Sequence, residues 1–156
     1  MVERAEAPTR TTERELVITR VFDAPRELVW KAWTDPGHVL KWLGPKDFTA
    51  IDFELDARPG GAWHSRMCGP DGAEYSNGGV VREVDEPDRL VFTFAWDEED
   101  GTPGREMQIT ITLAEREGKT EMTFSQGAFE SDEDRDGHGE GWSESFDKLA
   151  EYLASI

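Results

Sequence analysis

His38, His64, His138 and Cys68 are the side chains of this chain best suited to metal binding or proton transfer near neutral pH. Their spacing matches no zinc pattern. Cys68 falls in a predicted strand beside a turn and reads as a small buried hydrophobe. The chain has no glycine-rich phosphate loop, no Gly-x-Ser-x-Gly and no His-Glu-x-x-His. His138 stands apart because it lies four residues before Trp142, among Gly137, Gly139 and Gly141. It reads either as a histidine bonded to a loop carbonyl or as a weak candidate acid/base in a pocket.

The run from Asp132 to Gly137 places carboxylates at positions 1, 3 and 5 and glycine at 6, as in a calcium loop. The match fails at position 12, which is Ser143, and no helix is predicted before it. A capped helix start explains the run better, with Ser131 as cap and the acids facing the positive end of the dipole. No metal and no cofactor are expected.

Six tryptophans are a large aromatic supply for 156 residues. They suit a core, and they equally suit an apolar pocket with a few polar groups. The lining candidates are Trp42, Phe48, Trp63, Met67, Tyr75, Phe94, Trp96 and Met107, followed by His138, Trp142 and Phe146. Aromatic rings would supply burial, and His138 and Tyr75 would orient a guest. Strand parity leaves open which face looks inward.

Positioning these residues requires a sheet and a helix. Leu16 to Phe22 lies in a first strand beginning near Arg14. Pro25 suits the first position of a helix that ends near Thr34. Asp35-Pro36 starts a second short helix carrying Val39, Leu40, Trp42 and Leu43, and Gly44-Pro45 stops it. Strands follow at Phe48–Leu55, Ala62–Cys68, Tyr75–Val84 (bent near Gly78-Gly79), Arg89–Trp96, Met107–Leu113 and Thr120–Gln126. Trp142, Phe146, Leu149 and Leu153 then form one stripe of a C-terminal helix. The three glycines argue against an early start, so the helix begins either at the Ser131 cap or only near Gly141. Strands clustered between helices give an α+β fold with an antiparallel sheet. Residues 1–12 read as a frayed tail, and 13–156 as a single domain.

The net charge of −17 disfavours nucleic acid and anionic lipid as partners. Five lysines against twelve arginines fit an ordinary acidic bacterial protein or one from a salt-rich cytosol. One cysteine excludes an internal disulfide and suits the cytoplasm. No apolar run exceeds three residues, so no membrane insertion is expected.

Six ordered motifs carry a family resemblance. Phe22 to Pro36 resembles the opening of a START-like, SRPBCC-superfamily domain. Trp42-Leu43-Gly44-Pro45 and Asp56-Ala57-Arg58-Pro59-Gly60-Gly61-Ala62-Trp63 are similar to the branch of homologues of the activator of the heat-shock-protein ATPase. Asp71 to Tyr75, Pro87 to Phe92 and His138 to Trp142 complete the series. The resemblance implies a helix-grip fold, with a curved antiparallel sheet of about six to seven strands around a long C-terminal helix and a cavity between them. It implies a small, mainly apolar ligand as partner. The alternatives are a cyclase- or hydrolase-like enzyme using His138, and a co-chaperone-like modulator. The chain carries one such domain, so a chaperone partner is not expected. The sequence permits a homodimer.

Overall fold

The computed structural model describes residues 14–156, so the expected tail at 1–12 lies outside the described residues. The element order is β1 (Leu16–Phe22), α1 (Arg26–Thr34), α2 (Pro36–Val39), β2 (Thr49–Leu55), β3 (Ala62–Cys68), β4 (Glu74–Asp85), β5 (Arg89–Trp96), β6 (Met107–Arg116), β7 (Lys119–Gly127) and α3 (Asp132–Ser155). One seven-stranded antiparallel sheet runs β1-β7-β6-β5-β4-β3-β2. The first strand therefore pairs with the last, and α1 and α2 carry the chain from one sheet edge to the other. The sheet curls around α3 as a half-barrel, the α+β architecture that the strand clustering predicts.

Alternation decides which face each strand buries. In β6, Met107, Ile109, Ile111 and Leu113 are buried. They meet Met122 and Phe124 of β7 and, from α3, Phe146, Leu149 and Leu153 in one core. In β1 the outward Val17 and Val21 are 55% and 56% exposed. The inward Arg20 reaches the Ser143 carbonyl oxygen at 3.0 Å and Asp147 at 3.0 Å, both on α3.

Three local expectations need correction. Pro25 is the N-cap of α1, extended at ψ 152°, and helical geometry begins one residue later at Arg26. The regular part of α2 ends at Val39, and hydrogen-bonded turns carry the chain on through Leu43. Within those turns Trp42 is buried and donates Nε1–H to the Ala32 carbonyl oxygen at 2.9 Å, while Leu40 faces solvent. Gly44 ends the segment at φ +112°, a backbone that a side chain would strain. Cys68 is half-buried rather than buried, because it ends β3 at the turn.

At α3 the structure takes the Ser131-capped start rather than the one near Gly141: the helix begins at Asp132 and runs 24 residues straight through Gly137, Gly139 and Gly141. Each glycine costs about 1 kcal/mol relative to alanine. The Ser131 side chain offsets part of this by accepting from the Asp134 N–H at 3.0 Å, and three acidic residues occupy the first turn. Close packing bears on Gly139, whereas a side chain at Gly141 would begin in ordinary contact. A Cβ on Gly139 would stand 3.0 Å from Leu16 Cδ1, and one on Gly141 would stand 3.4 Å from Pro45 Cγ.

Candidate functional site

Between the sheet and the N-terminal half of α3 lies a cavity of about 370 Å³. Its floor comes from β2 (Phe53, Leu55), β3 (Trp63, Ser65, Met67), β4 (Asn77) and β5 (Leu90, Phe92, Phe94, Trp96). Its roof is α3, with His138, Trp142 and Ser145 and the bare backbone of Gly137 and Gly141. Trp33 of α1, Val39 of α2 and the segment Trp42–Pro45 close one side.

Sequence periodicity explains the floor. Trp63, Ser65 and Met67 share one face of β3, and Leu90, Phe92, Phe94 and Trp96 share one face of β5. Gly79 pairs with Trp63, and a Cβ there would lie 2.2 Å from the Thr93 carbonyl oxygen. Trp63 reaches across β4 and donates Nε1–H to that same oxygen at 2.7 Å. At Gly78-Gly79, where a bend is expected, three strands crowd together and the ring crosses between them, while the register of β4 against β5 shifts further on, between Val81 and Glu83.

Five indoles wall the cavity, and four of them spend their N–H inside the protein. Trp42 donates to Ala32 and Trp63 to Thr93. Trp142 donates to Gln126 Oε1 at 2.9 Å, and Trp96 to His138 Nε2 at 2.9 Å. Among the described residues the Trp33 Nε1–H has no hydrogen-bond partner. Its ring stands edge-on to Trp42 at 4.8 Å and about 6 Å from Trp142 and Phe146. The wall is therefore pre-assembled, with its rings fixed by protein acceptors.

His138 is held at both nitrogens. An indole only donates, so Nε2 must be the accepting nitrogen. Nδ1 then carries the proton and donates to the Asp134 carbonyl oxygen at 3.0 Å, one helical turn back. Aromatic rings of Phe94, Trp96 and Phe129 pack around it at 6.2, 5.9 and 4.9 Å. A proton on Nε2 would oppose the Trp96 N–H, so the hydrogen bonds place the ring proton on Nδ1. The other histidines lie elsewhere. His38 meets the Tyr152 hydroxyl at 2.5 Å, and His64 lies 3.3 Å from Asp97. Among the described residues, no group of three His, Cys, Asp or Glu could hold a metal.

One polar pair interrupts the apolar floor. Ser65 and Asn77 face each other across β3 and β4, and the Ser65 hydroxyl donates to Asn77 Oδ1. The roof is strapped to the segment after α2 by Lys148, whose Nζ donates to the carbonyl oxygens of Gly44 at 3.0 Å, Pro45 at 3.4 Å and Phe48 at 3.0 Å. Burial holds this ammonium below its ordinary value, with Asp47 and Glu144 pulling weakly the other way.

Of the expected lining residues, the structure brings together Trp42, Trp63, Met67, Phe94 and Trp96 with His138 and Trp142. The remaining four lie off the wall. Tyr75 pairs with Met67 one step further along the strands than Asn77 does with Ser65. There it is 41% exposed and packs tilted against Phe48 at 5.7 Å, outside the cavity. Phe146 is buried behind the wall against Trp33, Trp42, Phe124 and Trp142. Met107 is buried beside Gln126. Ser65, Asn77, Phe53, Phe92 and Trp33 were not anticipated. Parity with Trp63 and Met67 points to Ser65, and parity with Phe94 and Trp96 points to Phe92.

A curled antiparallel sheet gripping a C-terminal helix over an aromatic cavity defines the helix-grip, START-like class. Within it, residues 23–154 match the family model described as "Activator of Hsp90 ATPase homolog 1-like protein", and the chain belongs to that family. Solved structures agree. An AHSA1 protein from Silicibacter pomeroyi is 29% identical with a TM-score of 0.82, covering 90% of this chain and 97% of its own. A protein from Chromobacterium violaceum is 30% identical with a TM-score of 0.81, covering 90% and 96%. One from Arthrobacter aurescens is 28% identical with a TM-score of 0.83, covering 96% and 91%. No curated protein matches the chain. No helix of the described residues is long and apolar enough to cross a membrane.

Proposed function

We propose that this protein binds a small, mainly apolar molecule in the cavity between the sheet and α3. One observation carries the reading: five indoles surround a space of about 370 Å³, within the ~300–1,000 Å³ usual for small-molecule sites. Protein acceptors already hold four of these rings, so little ordering cost falls on binding. His138 acts here as a fixed wall residue rather than an acid/base, since both its nitrogens are engaged.

The uncharged dye N-phenyl-1-naphthylamine tests this reading by the fluorescence it gains in apolar surroundings. The expected result is saturable one-to-one binding that Gly141→Leu abolishes while thermal unfolding stays cooperative. A leucine there extends from a Cβ already touching Pro45 and fills the space under the roof. Gly137→Leu, at a position with nothing within 4 Å of a Cβ, is the second blocking variant. No dye uptake, or uptake indifferent to both variants, rejects the reading.

A further inference from the structure

The chemistry of the cavity wall narrows the class of guest. Ser65 and Asn77 are 3% and 7% exposed, far from bulk water on an otherwise aromatic floor. Buried polar groups of this kind need partners. Their mutual hydrogen bond uses one hydroxyl proton and one amide oxygen. It leaves the Asn77 amide N–H groups as donors and the Ser65 oxygen as an acceptor. If the amide were turned round, the pair would still present one donor and one acceptor. A hydroxyl group is complementary to that arrangement, because its oxygen accepts while its proton is donated.

The charged groups of the wall act in the opposite sense to anion binding. Among the described residues that line the cavity no arginine or lysine occurs, and Glu133 and Asp134 stand at its α3 edge. His138 turns no free N–H into the cavity, since Nε2 accepts from Trp96 and Nδ1 donates to the Asp134 carbonyl oxygen. Lys148, which approaches the wall at Gly44 and Pro45, is committed to three backbone carbonyls. The positive end of α3 is capped by Ser131 and covered by its own acidic first turn. A carboxylate, sulfonate or phosphate entering this site would lose its hydration and gain no counter-charge.

We propose that the cavity selects an uncharged, aromatic-bodied guest bearing a hydroxyl group, held by the Ser65–Asn77 pair, and rejects anionic molecules of the same shape. This rests on the cavity being a ligand site. Displacement of N-phenyl-1-naphthylamine by three matched naphthalenes at pH 7 tests it: 2-naphthol, 2-methylnaphthalene and 2-naphthoate. The hydroxyl compound should bind about tenfold tighter than the methyl compound, the worth of one good hydrogen bond. The carboxylate should bind on the order of a hundredfold more weakly than 2-naphthol, since its charge is buried unpaired. Replacing both polar partners together, Ser65→Ala with Asn77→Leu, avoids stranding either one and should erase the preference for hydroxyl over methyl. Glu133→Gln with Asp134→Asn, at exposed positions, should recover part of the carboxylate affinity.

Equal affinities for 2-naphthol and 2-methylnaphthalene, or a preference that survives the double replacement, overturn the hydroxyl anchor. Carboxylate binding as tight as 2-naphthol overturns the charge selection. In each of these cases the dye still binds, and the ligand-binding reading stands. Failure of the dye itself to bind overturns both.

Discussion

The two halves of the sheet are built from the same alternation and end differently. On β1, β7 and β6 the inward side chains pack with Phe146, Leu149 and Leu153 of α3 in one buried core. On β2 to β5 large inward side chains such as Trp63, Phe92 and Phe94 face a stretch of α3 that sets Gly137, Gly141 and Ser145 beside His138 and Trp142, and a cavity opens. The hollow arises from what the helix omits, not from a shortage of apolar residues on the sheet. One helix thus fills the core at its C-terminal end and leaves room at its N-terminal end, accepting the helix-propensity cost of the glycines there.

Paired truncations probe that contrast most strongly. Leu149→Ala, at a residue with no exposed surface, should cost about 2–5 kcal/mol in urea unfolding. Met67→Ala on the cavity floor should cost about 1 kcal/mol or less, because its side chain already borders open space. Equal costs would mean that the two halves are packed alike. A smaller effect of opposite sign is expected at Gly137→Ala, which should stabilise by up to about 1 kcal/mol. Among the described residues, and apart from the adjoining backbone of α3 itself, no atom lies within 4 Å of the new Cβ. Destabilisation there would show that the helix needs glycine for more than space.

The smallest expected effect concerns Lys148, which joins the roof to the segment after α2. Its folded-state value lies below the ordinary 10.5. Just under 10.5 the unfolded chain therefore holds more protons than the folded one, and stability should rise with pH through that window. The contribution is full above 10.5 and is lost as pH falls through the folded value. Lys148→Met should flatten this slope in urea midpoints measured across the window. An unchanged slope would place the ammonium in water rather than on the Gly44, Pro45 and Phe48 carbonyls.

These same contrasts explain what the sequence makes legible. Strand order and the C-terminal helix follow from periodicity and turn chemistry, as in β6, where Met107 to Leu113 alternates cleanly. The beginning of α3 does not. Local propensity counts three glycines against a helix, whereas the Ser131 cap and the burial of Phe146, Leu149 and Leu153 further along hold the helix through them. Within the cavity, alternation gives the partners of a chosen residue but not where a face leaves the cavity. Met67 lines the floor while Tyr75, its direct partner on β4, already packs outside against Phe48. Phe146 has the periodicity of a wall residue, but Trp33, Trp42 and Trp142 stand around it. Which ring lies in front depends on contacts between elements more than a hundred residues apart in the chain.

The ring of indoles has a consequence for observing the protein. Trp33, Trp42, Trp63, Trp96 and Trp142 all border one small space, and Trp30 is the sole tryptophan off that wall. Indole emission responds to the polarity and motion of its surroundings. Nearly all of the protein's ultraviolet fluorescence therefore originates at the cavity surface, and whatever occupies the cavity should rewrite that spectrum. The molecule carries its own optical gauge of occupancy, readable without label or dye.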